Sequence, residues 1–363
     1  MKVALVYDWA NQIGGAERIL ADLRRVWPEA PLYTSVWYRN KAPWSTKFCE
    51  VRTSFLQKVP FVKKHYRFFA LLIPIAFEQF NFEKFDVVIS VTSWPAKAII
   101  TKPQTCHICY CLTPPRSFWE RKFLKHKFLF PFLAPLRMTD YFFAQRPDCF
   151  LTISQTAAER IKKFYQREAK VIYPGINVQD VQSVQNVQKK NYFLAVGRLV
   201  YYKRFDILIE AFNKLGRQLK IVGDGPEKKV LEKKSKQNIQ FLGQVSESKL
   251  QELYRGAKAI ICPQEEDLGL VSLEAQSFGT PVIAFGKGGL TETVAEGKTG
   301  EFFYSQNSAS LIKVLQETKA KRYRPADFME NLRRFDKNKF LLQFKETVET
   351  LWRQNQKKKF ILR

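Results

Sequence analysis

Short apolar runs alternate along the chain with segments whose apolar residues keep a helical period. VALVY at 3–7 is followed by the polar loop DWANQIGG and then by Ile19, Leu20, Leu23 and Val26 at 3.6-residue spacing. Strand, glycine loop and helix in that order open a βαβ unit. Further runs at DVVIS (86–90), CHICYC (106–111) and CFLTIS (149–154) read as strands buried on both faces, with Ser154 placed to cap a following helix.

From residue 191 the alternation becomes more regular. FLAVG, DILIEAFNKL, LKIVG, EKKVLEKKSK, IQFLG, SKLQELYRGA, AIICP, VSLEAQSFG and PVIAF follow one another as strand and helix by turns, the pattern of a doubly wound parallel sheet. The segment 174–190 (PGINVQDVQSVQNVQKK) is polar, Gln-rich and weakly periodic, which suits a linker. The expected organisation is an amino-terminal Rossmann-like domain at 1–173, the linker, a second Rossmann-like domain at 191–330, and a tail at 331–363. The apolar positions of FLLQFKETVETLW in that tail need a partner outside the finished second sheet, so this helix is expected to return to the first domain.

Composition narrows the partners. A chain of 363 residues with 45% apolar and 14% aromatic content can bury two cores. Its formal charge of +26, from 60 Lys and Arg against 34 Asp and Glu, points to an anionic partner. The excess is diffuse; only 251–300 is acidic, with 4 positive against 7 negative residues. A nucleic-acid-binding protein more often gathers its charge into one stripe, and no motif of that class is present. The longest apolar candidate, FFALLIPIAF at 68–77, is too short to span a bilayer. The opening MKVALVYDWA turns polar early, so a cytoplasmic location is expected. Lys and Arg mixed with Phe and Leu in ERKFLKHKFLFPFLAPLRM (120–138) admit a peripheral place on the inner face of an anionic membrane.

Of the six cysteines, Cys106 and Cys109 have Cys-x-x-Cys spacing, but they fall in a β-prone run without a second ligand pair, so buried free thiols rather than a metal site are expected. No cofactor and no metal are expected.

Candidate chemistry gathers at loops that follow strands. VGRLVYYKRFD places Arg198 and Lys203 between a strand end and a helix, where two cations can clamp a diphosphate. PQEEDLGLVSLEAQSFG sets Glu266 and Glu274 on either side of a strand-to-helix turn. Gly269 and Leu270 at that turn let backbone N–H groups approach an anion or a sugar at a helix N-terminus. Taken alone, each is an ordinary surface residue; their order is what carries weight.

That order resembles the retaining glycosyltransferases of the two-domain GT-B fold, family 4. The matching elements are GR-x4-K (Arg198, Lys203), IVGDGPE at 221–227, FLGQV at 241–245, E-x7-E (Glu266, Glu274), and QIGGAER at 12–18. The resemblance implies two Rossmann-like, doubly wound parallel-sheet domains (α/β) facing a cleft. It implies transfer of a hexose, with mannose a family-level expectation, from a nucleotide diphosphate sugar to a glycan or lipid-linked saccharide, with retention and without a metal. Arg198 and Lys203 would bind the diphosphate, Glu266 the hexose, Glu274 the ribose and the backbone near Val245 the base. Gly14 and Gly15 would approach the donor phosphates, while Glu17, Arg18, Thr113 and Arg116 are acceptor-side candidates. One departure stands out: Leu112 precedes Thr-Pro where relatives often carry histidine, and none of His65, His107 or His126 obviously replaces it. A non-catalytic sugar-nucleotide-binding module and a basic nucleic-acid-binding protein remain the competing classes, and donor turnover separates them.

Overall fold

The computed structural model describes all residues except 61, 63–68, 70, 71, 179–188, 319–322, 362 and 363, and side chains are not described at 358–361. The chain forms two compact units, Met1–Gly175 with Asn338–Arg363, and Ile176–Lys337.

The first unit is built on a seven-stranded, all-parallel sheet. Its strands are β1 (Val3–Tyr7), β2 (Leu32–Thr34), β3 (Val51–Thr53), β4 (Val87–Thr92), β5 (Cys106–Cys111), β6 (Cys149–Thr152) and β7 (Ala169–Val171), in the order β3-β2-β1-β4-β5-β6-β7. The order reverses between β1 and β4, so the loops after those two strands diverge and leave a crevice at their carboxyl ends. β1, β4 and β5 are buried along their whole length, and the polar Ser90 and His107 of β4 and β5 hydrogen-bond each other, Oγ to Nε2, at 2.9 Å.

On β5 alternate residues face opposite sides of the sheet, so Cys106 and Cys109, three positions apart, point apart. Both are buried free thiols, as is Cys111.

The second unit repeats the plan with six parallel strands: β8 (Phe193–Val196), β9 (Leu219–Val222), β10 (Ile239–Gly243), β11 (Ile260–Cys262), β12 (Val282–Phe285) and β13 (Gly300–Phe303), in the order β10-β9-β8-β11-β12-β13. Its two faces carry separate cores. Phe193 and Ala195 pack with Phe212, Ile221 and Phe303 on one side; Leu194 packs with Tyr254, Cys262 and Phe278 on the other. The switch point lies between β8 and β11.

The boundaries differ from the expected 174–190 linker and 331–363 tail. The chain passes between units at Gly175/Ile176 and again at Lys337/Asn338. Ile176 is held within the second unit, its N–H donating to the Phe335 carbonyl at 2.8 Å and its carbonyl accepting from the Lys337 N–H at 3.1 Å. Residues 331–337 stay there because Asn331 Nδ2 donates to Gln276 Oε1 and the Thr293 carbonyl, both at 2.8 Å, and Leu332 and Phe335 are buried. Most of the Gln-rich stretch, 179–188, lies outside the described residues.

The last helix runs from Lys337 to Ile361 and, from Asn338, belongs to the first unit. Phe340, Phe344 and Val348 form its buried stripe. Phe344 meets Tyr110 edge-on at 5.0 Å and Trp27 at 6.2 Å, and Lys170 Nζ donates to Thr347 Oγ1 at 3.3 Å.

Candidate active site

In the second unit, loops after four neighbouring strands interlock at the carboxyl end of the sheet. Gly223, after β9, lies against the loop after β8: a Cβ there would sit 1.9 Å from the Gly197 carbonyl oxygen. The Leu199 N–H donates to Asp224 O at 2.9 Å and the Glu227 N–H to Leu199 O at 3.0 Å. The IVGDGPE element therefore acts by holding the loop that carries Arg198 and Lys203.

Lys203 Nζ forms a short ion pair with Glu266 Oε1, and Gln264 Nε2 donates to the same oxygen at 2.7 Å. The side chains of Lys203 and Glu266 are 19% and 16% exposed, so the pair is only partly screened by water yet open to a ligand. Arg198 is exposed, its Nη2 donating to the Tyr202 hydroxyl at 2.6 Å. Beneath this cluster the Cys262 thiol is pushed up to about 12, by burial first and by the Glu266 carboxylate second.

Arg204, not singled out by the sequence, does structural work here. It adopts the left-handed conformation (φ 54°), grips Asp206, and donates through Nη1 to Gln306 Oε1 at 3.2 Å. Gln306 Nε2 in turn donates to the Pro263 carbonyl at 2.9 Å. This chain of contacts ties the loop after β8 to the loop after β11. Nothing in the local spacing points to it, because Gln306 lies 102 residues away.

Gly269 caps the helix Leu270–Ser277 with φ 95°, a conformation that disfavours side chains, and a Cβ there would lie 2.7 Å from Leu290 Cδ2. The turn thereby leaves Leu270 at the first position of the helix, where backbone N–H groups have no intrahelical partner. Glu274 lies one turn further on, half-buried, with the Tyr254 hydroxyl donating to its Oε2 at 3.0 Å. Tyr254 stacks on Phe278 at 5.8 Å and comes from the helix Glu247–Gly256, which follows Val245. Val245 itself is part-buried against the same core. A cavity of about 520 Å³ lined by Lys189, Phe193, Arg217, Lys258 and Pro281 opens at the amino ends of these strands and is separate from this cluster.

The first unit brings its own candidates to the carboxyl ends of β1, β4 and β5. Gly14 and Gly15 begin the helix Gly15–Val26. Glu17 departs from its acceptor-side reading. Its carboxylate turns back under the glycine loop, is 2% exposed, and accepts from the Tyr7 hydroxyl at 2.6 Å, while burial raises its pKa. A Cβ at Gly14 would approach Glu17 Oε2 to 3.0 Å, so the two residues fit as a pair. Arg18 is exposed. Arg116 stacks its guanidinium on Phe123 at 4.5 Å.

Asp8 follows the end of β1, a position that the local sequence pattern does not single out. It accepts from the Thr92 hydroxyl, from Ser93 N at 3.1 Å and from Ala96 N at 3.0 Å, joining the loops after β1 and β4 across the switch point. Burial raises its pKa against those hydrogen bonds. A lone acid closing an apolar run is all that the local pattern shows there.

Leu112 stands half-buried just past β5, its N–H on the Thr92 carbonyl at 2.9 Å. His107 is locked in the sheet, with Nε2 2.9 Å from Ser90 Oγ, and its pKa is pushed down to about 3 by burial and then by Arg146 and Arg167. His126 is exposed in the basic segment, and His65 lies outside the described residues. Thr113 is 8% exposed; among the described residues its Oγ1 has no hydrogen-bond partner, and the same holds for buried Gln264 Oε1. Buried orphans of this kind mark places where water or ligand completes the bonding.

Residues 178–357 match the family described as Glycosyl transferases group 1, and residues 13–180 match Glycosyltransferase Family 4. The chain belongs to this glycosyltransferase family. It is 30% identical over 187 residues to the uncharacterized glycosyltransferase MJ1607 of Methanocaldococcus jannaschii, covering 44% of this chain and 48% of that protein. It is 28% identical over 213 residues to MJ1178 of the same organism, covering 53% and 60%. The chain thus spans about half the length of these curated relatives. Anabaena Alr3699/HepE, solved in complex with UDP-glucose, superposes with a TM-score of 0.71 at 18% identity, covering 96% of this chain and 100% of that one. That likeness shows the fold, the two-sheet GT-B architecture of family members.

Proposed function

We propose that this chain transfers a hexosyl unit from a nucleoside diphosphate sugar to a glycan or lipid-linked saccharide, with retention of anomeric configuration and without a metal. The observation that carries the reading is the Lys203–Glu266 ion pair at the β8/β11 switch point, with Arg198 on the loop of Lys203 and the Gly269 turn on the loop of Glu266. Such a switch point is where open α/β sheets bind ligands, and these two loops carry two cations and a helix N-terminus.

In this reading the departing diphosphate accumulates negative charge as the glycosidic bond breaks. Arg198, Lys203 and the N–H groups at Gly269 and Leu270 would stabilise it. A diphosphate draws Lys203 from Glu266, whose carboxylate, still held by Gln264, then accepts from hexose hydroxyls. Glu274, oriented by Tyr254, accepts from the ribose diol, and the backbone near Val245 meets the base. In the first unit, Arg18 and the Thr113 hydroxyl are candidates for binding the acceptor saccharide. In a front-face reaction the leaving phosphate takes the acceptor proton, so the Leu112 position needs no histidine base.

The UDP-glucose complex of Alr3699/HepE makes UDP-sugars the first donors to test. A donor at 100 times its Kd is expected to add ~2.7 kcal/mol of stability, read as a thermal shift across a nucleotide-sugar panel. Turnover unaffected by a chelator, with a product of retained configuration by NMR, completes the test. Donor binding without turnover on any saccharide acceptor would favour a non-catalytic binding module instead.

A further inference from the structure

Residues 121–142 of the first unit carry an outward apolar face that the fold leaves uncovered. Phe128, Phe132, Met138 and Phe142 are 67%, 76%, 61% and 63% exposed, and Leu129 is also exposed. Met138 and Phe142 lie four residues apart on the helix Ala134–Phe143, so they share one side of it. The opposite side is held firmly. Asp140, fully buried, accepts from Lys97 Nζ at 2.6 Å, Trp119 Nε1 at 2.6 Å and the Tyr165 hydroxyl at 2.8 Å. Arg137 donates to the Phe118 and Phe130 carbonyls and stacks on the Phe130 ring at 4.5 Å. The outward side chains are therefore presented by a fixed scaffold.

The charge beside them is mostly positive, with Glu120 at the edge of the segment paired to Lys122 at 3.0 Å and to Arg160. Arg121, Lys122, Lys125 and Lys127 are exposed, and the one carboxylate within 121–142, Asp140, is buried. A second copy of this chain would set that cationic rim against its own image if the face paired symmetrically. An anionic bilayer offers opposite charge at its surface and hydrocarbon beneath it, matching both halves of the face.

We propose that the outward face of residues 121–142 docks on an anionic lipid bilayer, with Phe128, Phe132, Met138 and Phe142 entering the acyl boundary and the neighbouring Lys and Arg resting on the headgroups. This inference stands apart from the glycosyl-transfer reading and is tested without a donor or acceptor. The full chain is sedimented with vesicles of phosphatidylcholine alone or mixed with phosphatidylglycerol, at low and high salt.

Binding is expected to favour the anionic vesicles and to weaken with salt. The variant Phe128→Ser/Phe132→Ser, folded by circular dichroism because both side chains are exposed, is expected to lose about tenfold or more in partition. Lys125→Glu/Lys127→Glu is expected to lose the anionic preference. Lys233→Glu/Lys234→Glu, the same charge change in the second unit, is expected to bind as the parent does. Equal binding to neutral vesicles, an unchanged Phe128→Ser/Phe132→Ser variant, or an equal loss in the second-unit control would each overturn the proposal. So would a Phe128→Ser/Phe132→Ser variant whose only change is conversion of a dimer to a monomer in analytical ultracentrifugation.

Discussion

Lys203 and Glu266 illustrate how little a single residue says before its partner is known. In the sequence they are 63 positions apart and each could be a solvated surface charge; in the fold they are an ion pair at the mouth of a sheet. Replacing Lys203 with Ala is expected to lower kcat/KM by ~10²-fold or more, about 2.7 kcal/mol of transition-state stabilisation, with folding intact. Glu274→Gln is expected instead to weaken nucleoside diphosphate binding, because a neutral amide is a poorer acceptor for two hydroxyls. Calorimetric titration and turnover on both variants check this contrast, and unchanged values in both would remove the proposed clamp.

His107 sets a different expectation. Its folded pKa is about 3 against an unfolded value near 6.5, so the unfolded chain takes up a proton first as pH falls. The stability present above the unfolded value is then lost on acidification, by about 2 kcal/mol from this group between pH 7 and 5. Urea unfolding of the parent and of His107→Gln should show that slope in the parent and a shallower one in the variant.

At the scale of elements, the loops that form the site are held by backbone contacts more than by side chains. Gly223 is the tightest of these, since any Cβ must displace the Gly197 carbonyl just before Arg198. Gly223→Ala is expected to cost about 2 kcal/mol or more in stability and to weaken nucleotide binding together with it. Denaturant melts and titration measure the pair; a variant with parental stability and affinity would show that the loop is free to shift.

The long strands and helices were legible because a strand buried on both faces must be a continuous apolar run and a surface helix must keep its stripe. β2, β3 and β7 were not. Each is three residues long, too short to show a period; β2 and β7 pair with the longer β1 and β6, and β3 extends the ladder from β2.

For the molecule as a whole, the carboxy-terminal helix joins the end of the chain to the first sheet. Phe344, fully buried between Tyr110 and Trp27, is its central anchor. Phe344→Ala is expected to destabilise the first unit by about 3 kcal/mol or more through the cavity it leaves. Near-UV circular dichroism during denaturation follows the loss, and a change under 1 kcal/mol would mean that the helix end is not needed to hold that unit together.

The sequence by itself determined the class of the fold, the two successive β-α series, the loops that bear Arg198, Lys203, Glu266 and Glu274, and the need of the last helix for a partner. These follow from periodicity and order, which are properties of neighbouring residues. Only the tertiary structure decided that the chain changes units at 175/176 and 337/338, that Glu17 is buried under the glycine loop, that Arg204 and Gln306 brace the site, and that Asp8 bridges two loops. Each of these depends on which distant backbone comes within hydrogen-bonding reach, and local pattern carries no record of that distance.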